Sequence, residues 1–225
     1  MLACTRLKEG SGLPLVFLHG FLGTSSDWRE VCHFLPAWNC FGIDLPGHGA
    51  SPFTEDFCSD MPPFDTPIHL VGYSMGGRLA MQYGVRFPKK IASLTVASAH
   101  PGLKEKEEKK KRIAIDAEWA KLVVEGDIDE FLKRWYNQPL FGNFLPDLSM
   151  RKKNQPELLA RCLLHYSLGK QSFLALESVF FIVGEKDEKY RSLLPNAAIV
   201  AAAHHMVHLE NPKGFAEILK TRIQP

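Results

Sequence analysis

Several features are missing from this sequence, and each absence removes a class of protein. No apolar run approaches the roughly 18 residues of a membrane-spanning helix, and Met1 to Gly12 lacks the apolar stretch of a secretion signal. The five cysteines (Cys4, Cys32, Cys40, Cys58 and Cys162) are odd in number, scattered and never spaced as CxxC. That pattern argues against a disulfide framework or a zinc site and for reduced thiols in a cytoplasmic protein. Charge of one sign is also lacking: 27 basic residues against 25 acidic leave a net charge of +2. Such a balance gives no footing for nucleic acid or a membrane surface as partner. There is no internal repeat and no low-complexity linker. What is present, 225 residues with 45% hydrophobic and 23% charged side chains, suffices for one well-filled core and is too little for two ordinary domains. The expectation is a single domain over residues 1–225, cytoplasmic and cofactor-free, with the oligomeric state left open and a monomer among the possibilities.

Short apolar runs alternate with helical patterns. Leu15-Val16-Phe17-Leu18 is apolar on both faces, as a strand inside a parallel sheet would be. Cys40 to Ile43, Ile68 to Val71, Ile91 to Ala97, Val179 to Val183 and the weaker Ala197 to Ala202 read as further strands. Helices are expected over Trp28 to Leu35, with Asp27 and Glu30 as a capping pair, and over Leu79 to Phe87, stopped by Pro88. A last helix begins at Asn211-Pro212 and runs towards Ile223. This alternation specifies an α/β fold with a mostly parallel, doubly covered sheet. It breaks between about 101 and 172, where Ile113 to Val124, Ile128 to Tyr136 and Leu158 to Leu168 show helical spacing only. A helical insertion there reads as a cap over the strand C-termini, where ligands bind in open α/β sheets. The stretch Ala50 to Thr66 holds several prolines, so its crossover helix is expected to be short or irregular. The chain is expected to begin its sheet at Leu15, with the preceding strands shortened.

Gly72-Tyr73-Ser74-Met75-Gly76 follows a strand and opens a helix. This is the G-x-S-x-G elbow in the context that gives it meaning, a turn so sharp that side chains two positions either side of the serine would collide. The chain thus resembles the α/β-hydrolases, in which serine, acid and histidine occur in that order. Serine needs a neighbouring imidazole to act as base or nucleophile near neutrality. Asp187, just past strand Val179 to Val183 in Gly184-Glu185-Lys186-Asp187, is the expected acid, whereas Asp127 and Asp129 belong to a helix start. The histidine must be His204, His205 or His208. His205 is selected because Gly-His-x-x-His-x-Glu-x-Pro, frequent in hydrolases, aligns with it, His204 standing where glycine is usual. His208 and Glu210 then hold the loop and helix start. No carboxylate or cysteine spacing supports a metal among these histidines. His19-Gly20-Phe21 follows the first strand, where the fold supplies an oxyanion-hole amide: Phe21 N–H, with Met75 N–H as the second. His19 itself reads as structural.

The residues also resemble a particular family. Leu70 to Met81, Asp44 to Gly49, His100-Pro101-Gly102-Leu103 leading to Arg112, Trp135-Tyr136-Asn137-Gln138-Pro139-Leu140-Phe141, Val183 to Asp187 and His208 to Pro212 are similar to 2-succinyl-6-hydroxy-2,4-cyclohexadiene-1-carboxylate synthases of menaquinone biosynthesis. The resemblance implies elimination of pyruvate from an enolpyruvyl cyclohexene by Ser74, His205 and Asp187, without cofactor. It also implies a polycarboxylate substrate held by Arg78, Arg112 and Arg151, with Tyr73 and Trp135 lining the pocket. Arginine suits that task because its planar fork matches a carboxylate. A plainer reading stands beside each of these. Arg112 ends the charge run Lys104 to Arg112, otherwise an exposed helix face, Arg151 adjoins Lys152 and Lys153, and both aromatics would serve equally as core. The alternative activity is a serine esterase or thioesterase working through an acyl-enzyme; a non-catalytic binding protein fits poorly with a complete set of reactive groups.

Overall fold

The run Leu15–Leu18 offers water no polar side, and in the computed structural model it lies inside a seven-stranded sheet, paired along both edges. The structure describes residues 1–174 and 178–223. Its first half consists of β1 (Cys4–Lys8), β2 (Ser11–Leu18), α1 (Arg29–His33), β3 (Trp38–Ile43), α2 (Phe57–Asp60), β4 (Ile68–Tyr73), α3 (Met75–Arg86) and β5 (Ile91–Ala97). The second half holds α4 (Lys106–Glu125), α5 (Ile128–Tyr136), α6 (Pro156–His165), β6 (Val179–Gly184), α7 (Glu188–Leu193), β7 (Ala198–Val200), α8 (Val207–Glu210) and α9 (Pro212–Lys220). Spatial order is β1-β3-β2-β4-β5-β6-β7; β1 runs antiparallel to β3, and every other pairing is parallel.

Alternation along β2 divides the core between two faces. Leu15 and Phe17 join Val31 of α1 and Phe215 and Leu219 of α9, while Val16 and Leu18 join Leu79, Ala80 and Met81 of α3. Trp28 completes the first face, its ring against Phe17 at 4.8 Å and Phe215 at 5.6 Å.

Two expectations need correction. The sheet does not begin at Leu15: β2 extends back to Ser11, and β1 pairs with β3, Cys4 opposite Ile43. Cys4, Thr5 and Arg6 are exposed, so this edge strand carries no burial pattern by which to recognise it. Asp27 and Glu30 do not cap α1 either. A 3-10 turn, Ser25–Trp28, precedes that helix, and the Asp27 carboxylate is taken by Arg151.

Between β5 and β6 the described residues form helices and 3-10 turns only. The charge run is the opening of α4, which buries Asp116, Ala120 and Val123 and packs against α6 and the turn Leu168–Lys170. Asp127 caps α5, its Oδ1 accepting from the N–H groups of Asp129 and Glu130. The Ala50 to Thr66 crossover contains only the single turn α2. Among the described residues no helix is long and apolar enough to cross a membrane. Because the strands are parallel, the segments leaving β2, β4, β6 and β7 emerge at one end of the sheet, bringing Phe21, Ser74, Asp187 and His205 to a common edge.

Candidate active site

Ser74 joins β4 to α3 with φ 51° and ψ −112°, a conformation that costs an L-residue energy unless its surroundings impose it. They do so here. The Ser74 N–H donates to the Ala97 carbonyl at 2.9 Å, and the first turn of α3 starts at once, Arg78 N–H donating to the Ser74 carbonyl at 3.1 Å. Glycine at position 76 is obligatory, since a Cβ there would strike the His19 carbonyl.

His205 lies in the loop between β7 and α8, its side chain 4% exposed. Its Nδ1 is 2.8 Å from Asp187 Oδ2, and its Nε2 is 3.2 Å from Ser74 Oγ. A carboxylate can only accept, so the proton belongs on Nδ1; Nε2 is left as the acceptor for the serine hydroxyl. Asp187 is itself fixed as the cap of α7, Oδ1 accepting from Tyr190 N–H at 3.2 Å. The neighbouring histidines have separate tasks. His204 and Met206 are clamped by Glu210, whose Oε2 accepts from His204 N–H at 2.8 Å and lies 2.9 Å from its ring Nδ1, while Oε1 accepts from Met206 N–H at 3.0 Å. The His204 ring, in place of the usual glycine, is accommodated where Gly142 leaves room for it. His208 fills the space between Trp28 and Tyr73, at 4.3 and 4.4 Å, and burial depresses its pKa well below the usual value. Among the described residues no three His, Cys, Asp or Glu side chains converge as a metal site would require.

The loop after β2 is held by two buried imidazoles. Leu45 N–H donates to His19 Nε2 at 2.9 Å, and His19 Nδ1 donates to the Gly20 carbonyl at 2.7 Å. Leu22 N–H donates to His48 Nε2 at 3.1 Å, and His48 Nδ1 donates to the Pro46 carbonyl at 2.9 Å. Burial lowers these rings to about 3 for His19 and about 4 for His48, so both stay neutral and keep one acceptor nitrogen. Asp44 adds Oδ1 to Ser25 N–H at 2.7 Å and Oδ2 to Ala50 N–H at 2.9 Å. The N–H groups of Phe21 and Met75 donate to no group among the described residues.

Ser74 opens into a small cavity of about 70 Å³ bordered by Phe21, Met75, Arg78, Arg112 and Trp135. Larger hollows of about 630 Å³ beside Phe180 and about 530 Å³ around Arg86 contain none of Ser74, Asp187 and His205. Arg78 is buried, with Nη1 donating to the Tyr166 carbonyl at 2.8 Å and Gln171 Oε1 at 3.1 Å. Burial, reinforced by the neighbouring Arg112, lowers its pKa to about 10, which leaves it cationic. Arg112 donates through Nε to both oxygens of buried Asp116 at 2.9 Å.

The alpha/beta hydrolase family model matches residues 15–218. An Escherichia coli O1:K1 protein named 2-succinyl-6-hydroxy-2,4-cyclohexadiene-1-carboxylate synthase is 32% identical over 98% of this chain and 100% of its own. The structure of MenH from S. aureus superposes with a TM-score of 0.84 at 27% identity, covering 98% of this chain and 96% of that one. This chain belongs to the 2-succinyl-6-hydroxy-2,4-cyclohexadiene-1-carboxylate synthase family of alpha/beta hydrolases. A thermophilic esterase from Thermogutta terrifontis, TM-score 0.75 at 20% identity over 98% of this chain and 92% of that one, shares the fold.

Two positions expected from the synthase family to face the pocket do not border it. Arg151 is bound to Asp27, Nη1 to Oδ1 at 2.8 Å and Nη2 to Oδ2 at 2.7 Å, with Nε donating to Tyr136 OH at 3.4 Å. Tyr73 is core: its ring packs on His205 and His208, and burial drives its pKa up. Conversely, His100, Asp116 and Tyr190 line the cavity and were not among the expected site residues. Asp116 was signalled by its position four residues after Arg112, one helical turn away. Tyr190, three residues beyond Asp187 in the helix that aspartate caps, had no comparable signal.

Proposed function

We propose that this enzyme removes pyruvate from 2-succinyl-5-enolpyruvyl-6-hydroxy-3-cyclohexene-1-carboxylate, giving 2-succinyl-6-hydroxy-2,4-cyclohexadiene-1-carboxylate, as a cytoplasmic step of menaquinone biosynthesis. One observation carries the reading: the hydrogen-bonded line Asp187–His205–Ser74 ends in a cavity that also holds Arg78 and Arg112. A basic hydroxyl beside cationic forks suits proton abstraction from a molecule bearing several carboxylates. The relatives named for this reaction supply the substrate class.

In this mechanism His205 Nε2 takes the Ser74 proton, and Ser74 Oγ takes a proton from the substrate ring. The C2–H electron pair becomes the C2–C3 double bond, the C3–C4 double-bond pair shifts to C4–C5, and the C5–O ether bond breaks. The departing enolate of pyruvate receives the proton from His205, and serine and imidazole return to their starting states. Asp187 keeps the ring in the required tautomer and offsets its transient charge. The N–H groups of Phe21 and Met75 stabilise the enolate-like charge, and removal of such a donor typically costs about 10²–10³ in rate. Trp135 lines the apolar wall. No step calls for a cofactor. The helices of residues 101–172 act as the cap of a single-domain hydrolase fold. A cavity of about 70 Å³ is far smaller than a ligand pocket of roughly 300–1,000 Å³, so its walls must give way for the substrate to enter.

The test offers the enolpyruvyl substrate with a coupled pyruvate assay, and separately an activated short-chain ester. Pyruvate release without an ester burst supports the lyase. Rapid acyl-enzyme formation without pyruvate replaces it with a serine esterase.

A further inference from the structure

Tyr190 lines the cavity from α7, and its place there is tightly determined. Its backbone N–H donates to Asp187 Oδ1 at 3.2 Å, which ties its Cα to the acid. Its ring lies against the His205 imidazole, centroids 4.8 Å apart at 47°. With that side occupied, the residue borders the same cavity as Arg78 and Arg112. The residue is half-buried, and its hydroxyl, which enters no hydrogen bond among the described residues, is not sealed from water. An unengaged donor at the edge of the cavity is free to donate to a ligand, and a hydrogen bond to a charged acceptor is stronger than one between neutral groups. Burial raises its pKa against the pull of Arg112 and Arg78, so it remains a protonated donor.

The chemistry around it selects the acceptor. Arg78 and Arg112, the latter holding Asp116 through Nε and keeping its Nη groups for a ligand, draw in an anion, and a carboxylate offers about four lone-pair sites, more than one planar fork can fill. We propose that Tyr190 is a substrate-binding residue whose phenolic O–H donates to a carboxylate held between Arg78 and Arg112. This deepens the reading of a polycarboxylate substrate and rests on it.

Tyr190→Phe removes the donor and keeps the ring against His205. Thermal unfolding should be unchanged, kcat should stay within about twofold, and KM for the enolpyruvyl substrate should rise about tenfold or more, as expected for a hydrogen bond to a charged group. A purely structural tyrosine would instead change stability and leave KM alone. A second measurement separates this inference from the assigned reaction: phthalate, a rigid aromatic dicarboxylate, is titrated into both proteins, with binding read by calorimetry. Weaker phthalate binding by Tyr190→Phe supports the donor even if wild type releases no pyruvate, an outcome that would sink only the reaction. Absent phthalate binding by wild type, or equal affinity and equal KM in both proteins, overturns the proposal.

Discussion

Replacing Arg151 by methionine should destabilise the protein far more than it impairs substrate recognition. Both guanidinium Nη atoms meet both Asp27 oxygens at 2.7–2.8 Å, and the two side chains are only 4% and 6% exposed. Burial pushes the Asp27 carboxyl up against the pull of its partner, so a carboxylate left alone there is strongly disfavoured. Breaking such a pair from one side typically costs about 3–5 kcal/mol, and in a chain of 225 residues that is a fall in Tm of about 6–20 °C. The cost also has a location. Arg151 sits on a 3-10 turn of the helical insertion and Asp27 follows the loop carrying Phe21, and nearby Asn154 Nδ2 donates to the Leu22 carbonyl at 3.1 Å. Urea unfolding of Arg151→Met, Asp27→Leu and the double variant measures the coupling, and the double variant should recover much of either single loss. An Arg151→Met protein of wild-type stability with a raised KM would refute this reasoning and return Arg151 to the substrate.

The remaining expectations are briefer. Ser74→Ala and His205→Ala should each lower pyruvate release by at least about 10³-fold, and the double variant should be scarcely worse because the groups act as a unit; multiplying losses would mean independent roles. Gly76→Ala drives a methyl into the His19 carbonyl and should cost about 1–3 kcal/mol by overpacking together with much of kcat; wild-type melting and turnover would contradict it. Acid should unfold the protein partly through His48. Its folded pKa of about 4 lies below the usual 6.5, so the unfolded state binds the proton first and stability falls as pH drops from about 6.5 towards 4. The full effect is about 3 kcal/mol, and equal urea midpoints at pH 7 and pH 4.5 would rule it out.

How far the sequence could be read depended on whether a residue's role is local. Ile91–Ala97 and Ile128–Tyr136 match the expected spans, because apolar period and end signals are properties of a few adjacent residues. The elbow, the acid and the histidine were legible because chain order and flanking strands assign them, and the structure brings these three within hydrogen-bond reach. The exposed strand β1 was not legible, since main-chain pairing without burial leaves no mark on side-chain choice. Nor was the pairing of Arg151 with Asp27, 124 positions apart. An arginine near a site looks the same in sequence whether it awaits a ligand carboxylate or already holds one from its own chain. Tyr190 faces the complementary difficulty, for a tyrosine three residues past an aspartate is unremarkable until the helix carrying it is folded against the imidazole.

The order of the strands sets how a proton can travel. Neighbouring strands stand about 4.8 Å apart, and β5 lies between the strand that delivers Ser74 and the strand that precedes Asp187. Main-chain pairing therefore keeps hydroxyl and carboxylate on the order of 10 Å apart at their roots, whatever their mutual attraction. A carboxylate seated directly on the serine would be too weak a base to take its proton. The interposed strand denies that shortcut, and among the described residues the connection is made by a ring hung from the far edge of the sheet.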